Sequence, residues 1–289
     1  MRVVLLEPYG YCVGVERAIE IALKTRSDNP NKRVIILGML IHNEDALKEL
    51  EAKGIETLYH KDKSLLDLVD ELPKDALVIL TAHGHSDELE RKLNERRIEF
   101  IDATCPFVKA TFKRILEASI ANHNTLYIGK KNHPESNAAL SISDKVKLVD
   151  IDNPSFDVKD ASPLVISQTT FSHREISEVV DNILKKYPNA TVFPSVCQAS
   201  TDRQNAILSL DKNIELIYVV GGVNSNNTKT LAKLAKEHCP KAKVILIQNK
   251  DDINKKDLIG LSYIAIASGA STPKHISEEV KASIENLLN

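Results

Sequence analysis

Eight short runs of nearly unbroken aliphatic residues punctuate this chain. They are Arg2–Glu7, Arg33–Met39, Ala76–Ala82, Thr125–Gly129, Pro163–Thr169, Ile214–Gly221, Ala242–Gln248 and Ser262–Ser268. A strand with one wet face alternates apolar and polar residues, and these runs do not. Continuous apolar runs of this length are expected of strands covered on both faces, as in parallel sheets flanked by helices. Helical patterns fall between them, over Val13–Arg26, His173–Lys186, Asn226–His238 and Pro273–Leu288. The expected class is therefore α/β with mainly parallel sheets. No Ser/Gly-rich linker interrupts the 289 residues, so the parts are joined by short connections.

The cysteines carry a second regularity. Cys12 and Cys105 are 93 residues apart, and Cys105 and Cys197 are 92 apart. Each stands after an apolar or strand-like stretch and before a helical one, in "YGYCVGVERAIEIA", "DATCPFVKATFKRI" and "PSVCQASTDRQNAI". About 30 residues beyond each cysteine comes a polar cluster at a strand-to-helix turn, containing His42, His133 or Asn227 in turn. A third cluster follows at 64 to 74 residues, containing His83, Thr169 or Ser271. Repetition in phase at this period marks an internal repeat. It predicts three similar α/β units: 13–104, 105–195, and 1–12 together with 196–289. Cys239 falls outside the phase.

In open α/β sheets, ligands bind at the carboxyl ends of the strands. Three such edges would bring together Cys12, Cys105 and Cys197. Around them would stand His42, His83, His133, Glu135, Thr169, Thr170, Ser225, Asn227 and Ser271. Each cysteine begins a helix, where the dipole favours a thiolate and should lower its pKa. Two occupants suit three such thiolates: an iron–sulfur cluster with one iron lacking a protein ligand, or zinc completed by a histidine. Structural zinc ligands usually come in closely spaced pairs, and this chain has no CxxC. Histidines, hydroxyls, an amide and helix N-termini suit phosphate oxygens. Neither a GxxxxGK nor a GxGxxG loop occurs, so a nucleotide is not indicated. Lysine and arginine number 38 against 40 acidic residues, which argues against a nucleic-acid surface. No apolar run approaches the ~20 residues of a membrane span. The start reads directly as a strand without a leader cleavage site, as expected of a cytoplasmic protein.

The segments "GYCVGVERAI", "IHNE", "TAHG", "DATCPFV", "NHPE", "SQTT", "NSNN" and "SGASTP", in this order, resemble the 4-hydroxy-3-methylbut-2-enyl diphosphate reductase (LytB) family. The resemblance runs from Gly10 to Pro273. It implies a cloverleaf of three domains around a central [4Fe–4S] cluster, one per chain, ligated by Cys12, Cys105 and Cys197. It also implies a diphosphate held by His42, His83, His133, Ser225, Asn227 and Ser271, with Thr170 and Asn226 beside them. Glu135 would be the proton donor, and Thr169 would orient Glu135 and the substrate hydroxyl. The implied reaction removes the allylic hydroxyl of 4-hydroxy-3-methylbut-2-enyl diphosphate to give isopentenyl and dimethylallyl diphosphates. Electrons would come from a ferredoxin or flavodoxin. Many members read Asn-Ser-Ser-Asn where this chain has Asn224-Ser225-Asn226-Asn227, which replaces a hydroxyl with an amide at Asn226. His60, His85, His123, His173, His238 and His275 lie outside the matched positions and read as surface residues. Cys239 reads as a structural or exposed thiol.

Overall fold

The structure is a computed structural model that describes residues 2–193 and 195–287. Its twelve strands are β1 (Arg2–Leu5), β2 (Val34–Leu37), β3 (Ile55–Leu58), β4 (Leu77–Leu80), β5 (Glu99–Asp102), β6 (Thr125–Gly129), β7 (Val146–Asp150), β8 (Leu164–Ser167), β9 (Thr191–Val192), β10 (Leu216–Val220), β11 (Lys243–Ile247) and β12 (Tyr263–Ser268). Its α-helices are α1 (Val13–Asp28), α2 (Glu44–Ala52), α3 (Leu65–Val69), α4 (Asp87–Glu95), α5 (Pro106–Ile120), α6 (Pro134–Ser141), α7 (His173–Lys186), α8 (Gln198–Leu208), α9 (Asn226–His238) and α10 (Lys274–Leu287). All eight expected strands and all four expected helices are present. The end of the last expected helix, Leu288, lies outside the described residues. Strands β3, β5, β7 and β9 were not among the expected runs.

The strands form three four-stranded sheets, ordered β1-β12-β10-β11, β3-β2-β4-β5 and β7-β6-β8-β9, and every pairing is parallel. By backbone contacts the chain forms two compact units. One comprises Met1–Val15, His42–Lys48 and Cys197–Asn289; the other comprises Glu16–Ile41 and Glu49–Val196.

The first unit holds the sheet in which the N-terminal strand β1 joins the C-terminal strands, with Leu5 opposite Ile266. The pleat sends alternate residues to opposite faces. Ile217, Val219, Ala265 and Ala267 pack with Leu231 and Ala235 of α9. Leu216, Tyr218, Ile264 and Ile266 pack with Val280 and Ile284 of α10. Each fully buried aliphatic side chain here contributes about 1.5–3 kcal/mol. Cys239 ends α9 and is wholly buried in the first of these clusters, so it is a core residue and not an exposed thiol. Ser225 caps α9, its Oγ accepting the N–H of Thr228 at 3.3 Å.

The second unit holds the other two sheets. Ile35, Leu37, Val78 and Leu80 pack against α3 and α4 through Leu68, Leu89 and Leu93. Leu126, Ile128 and Val165 pack against Val179 and Ile183 of α7. Helix starts are written locally. Ser172 and Glu175 form a capping box on α7. Pro106 and Pro134 open α5 and α6, where a missing N–H costs nothing.

Candidate active site

In the second unit, the carboxyl ends of β4 and β5 present His83 and Cys105. The two are tied through backbone, since the Cys105 N–H donates to the Ala82 carbonyl at 3.0 Å. Cys105 is the N-cap of α5, and no side chain caps this helix. The His83 ring lies edge-on to that of His133, with centroids 5.7 Å apart and planes at 85°. His133 is the N-cap of α6, and its Nδ1 accepts the Glu135 N–H at 3.2 Å. Acceptance at Nδ1 puts the proton of a neutral ring on Nε2, which makes that nitrogen a donor.

Glu135 is 1% exposed. Its Oε1 accepts from the Thr169 N–H at 2.9 Å and from the Tyr127 hydroxyl at 3.2 Å, and its Oε2 accepts from Thr169 Oγ1 at 3.0 Å. Burial pushes the carboxyl up to about 7, and the three donors pull it back only in part. The commoner fate of a first-turn glutamate, facing solvent, does not apply here. Thr170 is held by Gln168, whose Nε2 donates to its Oγ1 at 2.9 Å.

The first unit holds Cys12, Cys197 and the hydroxyl and amide residues. Cys12 directly precedes α1, and its sulfur accepts the N–H groups of Gly14 and Val15. Burial nevertheless pushes its thiol up. This corrects the expectation of a lowered pKa at Cys12, because desolvation outweighs the helix N-terminus there. Cys197 is the N-cap of α8. Both are half-buried, as is Cys105, and none of the three is in a disulfide. Arg203 lies on the buried face of α8 at 4% exposure and feels the charges of Cys12 and Cys197.

Ser225, Asn226 and Asn227 are buried at the start of α9, and Ser271 is buried just before α10. Asn227 uses its Oδ1 to accept the Ala270 N–H at 3.0 Å and one Nδ2 hydrogen to donate to Ser200 Oγ at 3.2 Å. Ser271 Oγ lies 3.5 Å from the His42 carbonyl. Both ring nitrogens of His42 are shut off from solvent. Burial, with help from the charge of Lys229, holds this ring down to about 4. Gly222 explains the glycine pair after β10: a Cβ there would stand 2.1 Å from the His42 carbonyl oxygen. Only glycine permits that approach.

Two residues escaped the sequence reading. Tyr127 had a signal, a polar aromatic in the middle of an otherwise aliphatic buried strand. Arg203 had a weaker one, as a cation sharing a helix face with Ser200 and Ile207. His85 corrects the surface reading given to the unmatched histidines. Its side chain is 9% exposed, and its Nε2 meets Glu90 Oε1 at 2.7 Å.

These residues define an α/β protein with thiols, histidines, one of them held neutral, and a buried carboxyl of raised pKa near the carboxyl ends of parallel strands. A family model described as LytB protein matches residues 3–285, and the chain belongs to that family. Among similar proteins is the 4-hydroxy-3-methylbut-2-enyl diphosphate reductase of Bacillus cereus (strain AH820), 36% identical over 289 residues, which cover 99% of this chain and 90% of the relative. Another is the enzyme of the same name from Bacillus subtilis (strain 168), 35% identical over 99% of this chain and 91% of the relative. The solved structure of the E-1-hydroxy-2-methyl-but-2-enyl-4-diphosphate reductase from Plasmodium falciparum superposes with a TM-score of 0.87 at 25% identity, covering 99% of this chain and 88% of that one. A second solved structure, of (E)-4-hydroxy-3-methyl-but-2-enyl diphosphate reductase, the terminal enzyme of the non-mevalonate pathway, has a TM-score of 0.67 at 26% identity. It covers 99% of this chain and all of that one. Among the described residues, no helix is long and apolar enough to cross a membrane.

Proposed function

We propose that this chain catalyses the reaction its relatives are named for. It takes 4-hydroxy-3-methylbut-2-enyl diphosphate with two electrons and two protons, breaks the allylic carbon–oxygen bond, and forms isopentenyl or dimethylallyl diphosphate and water. The observation that carries this reading is Glu135, a buried carboxyl of pKa about 7 clasped by Thr169 beside His133.

Family membership implies an iron–sulfur enzyme. We assign one [4Fe–4S] cluster per chain to Cys12, Cys105 and Cys197. The donor set fits: three unbridged, half-buried thiols, each at a helix start. Bound there, the cluster would supply single electrons and an iron without a protein ligand.

The remaining work belongs to side chains. His42, His83, His133, Ser225, Asn227 and Ser271, with Asn226 and Thr170, form the diphosphate set. His42 is neutral at pH 7, so it donates a hydrogen bond without burying a charge. The start of α9 adds its dipole towards an anion. Hydroxide is a poor leaving group, and Glu135 is protonated in part near neutrality, so it can deliver the proton that lets the oxygen leave as water. Thr169 fixes the carboxyl through both of its oxygens.

The sequence has no flavin or nicotinamide fingerprint, so a small electron-transfer protein, a ferredoxin or flavodoxin, serves as donor in this reading. The cytoplasm is its proposed location, and 13–104, 105–195 and 1–12 with 196–289 are its proposed domains. The test is anaerobic turnover of the allylic diphosphate with a defined reductant. The reading requires two electrons consumed per product. A product formed without reductant would mean a hydro-lyase and would overturn it.

A further inference from the structure

Arg203 is the buried cation that the reaction as described leaves without a role. It lies six residues beyond Cys197 on α8. Its Nη1 donates to the Ala199 carbonyl at 2.9 Å, in the first turn of the same helix. Its Nη2 donates to the Gly10 carbonyl at 2.7 Å, two residues before Cys12 and 193 residues away in sequence. Its Nε is buried and has no hydrogen-bond partner. A guanidinium stays charged in a protein, so it cannot escape burial by neutralising itself. Both of its partners are neutral carbonyls. Among the described residues, the acid that acts on it is Asp202, which is exposed and bonded to Gln198 at 2.7 Å. The larger negative influences on it are the sulfurs of Cys12 and Cys197. A buried cation without an anion is costly, and this one is placed where anionic sulfur ligands would stand.

We propose that Arg203 is the counter-cation of the cysteine site: it ties the Gly10–Cys12 segment to the first turn of α8, and its charge stabilises the reduced form of the cluster held there. The proposal rests on the cluster assignment made above. Added electrons make a thiolate-ligated cluster more negative, and a fixed buried charge at short range favours that state. Cluster potentials are set in part by such surrounding charge and hydrogen bonding. Arg203 is a positioning and electrostatic residue, with no substrate contact assigned to it.

The experiment compares the parent, Arg203→Lys and Arg203→Gln, each reconstituted anaerobically. Iron and sulfide are counted, folding is checked by circular dichroism, and the cluster's midpoint potential is measured by spectroelectrochemical titration. Lysine keeps the charge without the fork, and glutamine keeps a donor without the charge. The expected result is a Lys variant close to the parent. In the Gln variant, the reduced-to-oxidised ratio at a fixed applied potential should fall about tenfold, equal to about 59 mV for one electron. A Gln variant that folds but takes up no iron, beside a Lys variant that loads normally, also supports a charge requirement. Equal shifts in both variants, a fully loaded Gln variant at the parental potential, or failure of both variants to load would overturn the proposal. A parent that holds no iron and sulfide would overturn the cluster assignment itself, and this proposal with it.

Discussion

Thr169 grips both oxygens of Glu135, its N–H donating to Oε1 at 2.9 Å and its Oγ1 to Oε2 at 3.0 Å. The two residues are 34 positions apart, one just past β8 and the other in the first turn of α6. The sheet therefore sets both the place of the carboxyl and its affinity for a proton. Burial wins over three hydrogen bonds, and the outcome is an acid poised near neutral pH.

Glu135→Gln keeps the shape and can still hydrogen-bond, but it has no proton to give. Turnover should fall by roughly two or more orders of magnitude. Iron content and substrate-perturbed cluster spectra should be retained. A variant within a few-fold of the parental rate would remove Glu135 from the chemistry.

Stability against pH carries two opposed contributions. Glu135 rises from 4.5 unfolded to about 7 folded, so its contribution is fully present below pH 4.5 and is lost as pH climbs to 7. His42 falls from 6.5 to about 4, so its contribution is present above pH 6.5 and is lost as pH drops to 4. Each spans on the order of 3 kcal/mol, and over the shared window they largely cancel. Denaturant unfolding of Glu135→Gln should show stability rising with pH between 4 and 6.5. His42→Gln should show it falling between 4.5 and 7. Parallel pH curves for parent and both variants would contradict these assignments.

Tyr127→Phe removes one donor from Oε1. That donor favours the ionised carboxyl, so its loss should raise the proton affinity of Glu135 and move the alkaline limb of the rate profile to higher pH. The stability cost should be about 1 kcal/mol. A limb that stays in place or moves to lower pH would mean the phenol does not tune this acid.

Gly222→Ala forces a methyl against the His42 carbonyl, a backbone atom that cannot swing aside. Destabilisation of about 1–3 kcal/mol is expected, with weaker affinity for inorganic diphosphate as a competitor. Thermal unfolding and competitive inhibition measured on one preparation read both effects, and parental values in both would show that the contact carries nothing.

Much of the fold was legible because the strands at the centres of the sheets are aliphatic on both faces. "VIIL", "LVIL" and "LIYVV" admit few alternatives, and even the edge strands β1 and β11 keep apolar runs. The four unexpected strands are all edges. In "IETL", "EFID" and "VKLVD" charged residues sit on exposed faces, and β9 is only two residues long with both exposed. At the site, the phased cysteines and the clusters of His42, His83 and His133 could be read from spacing. Arg203 and Tyr127 stand out in sequence only as a lone cation and a lone phenol, and their roles lie in contacts with Gly10 and Glu135 that only folding creates.

Metal and sulfide content, measured anaerobically on the parent, Cys105→Ser and Cys239→Ser, decides whether the phased cysteines hold an iron–sulfur cluster. Cys105 occupies the N-cap position of α5 beside the His83 turn, whereas Cys239 is core filling. The parent should hold about four irons and four labile sulfides per chain. Cys239→Ser should retain them, and Cys105→Ser should lose both the cluster and turnover. Zinc without sulfide in the parent, or a Cys105→Ser protein with full cluster and full activity, would contradict the cluster assignment.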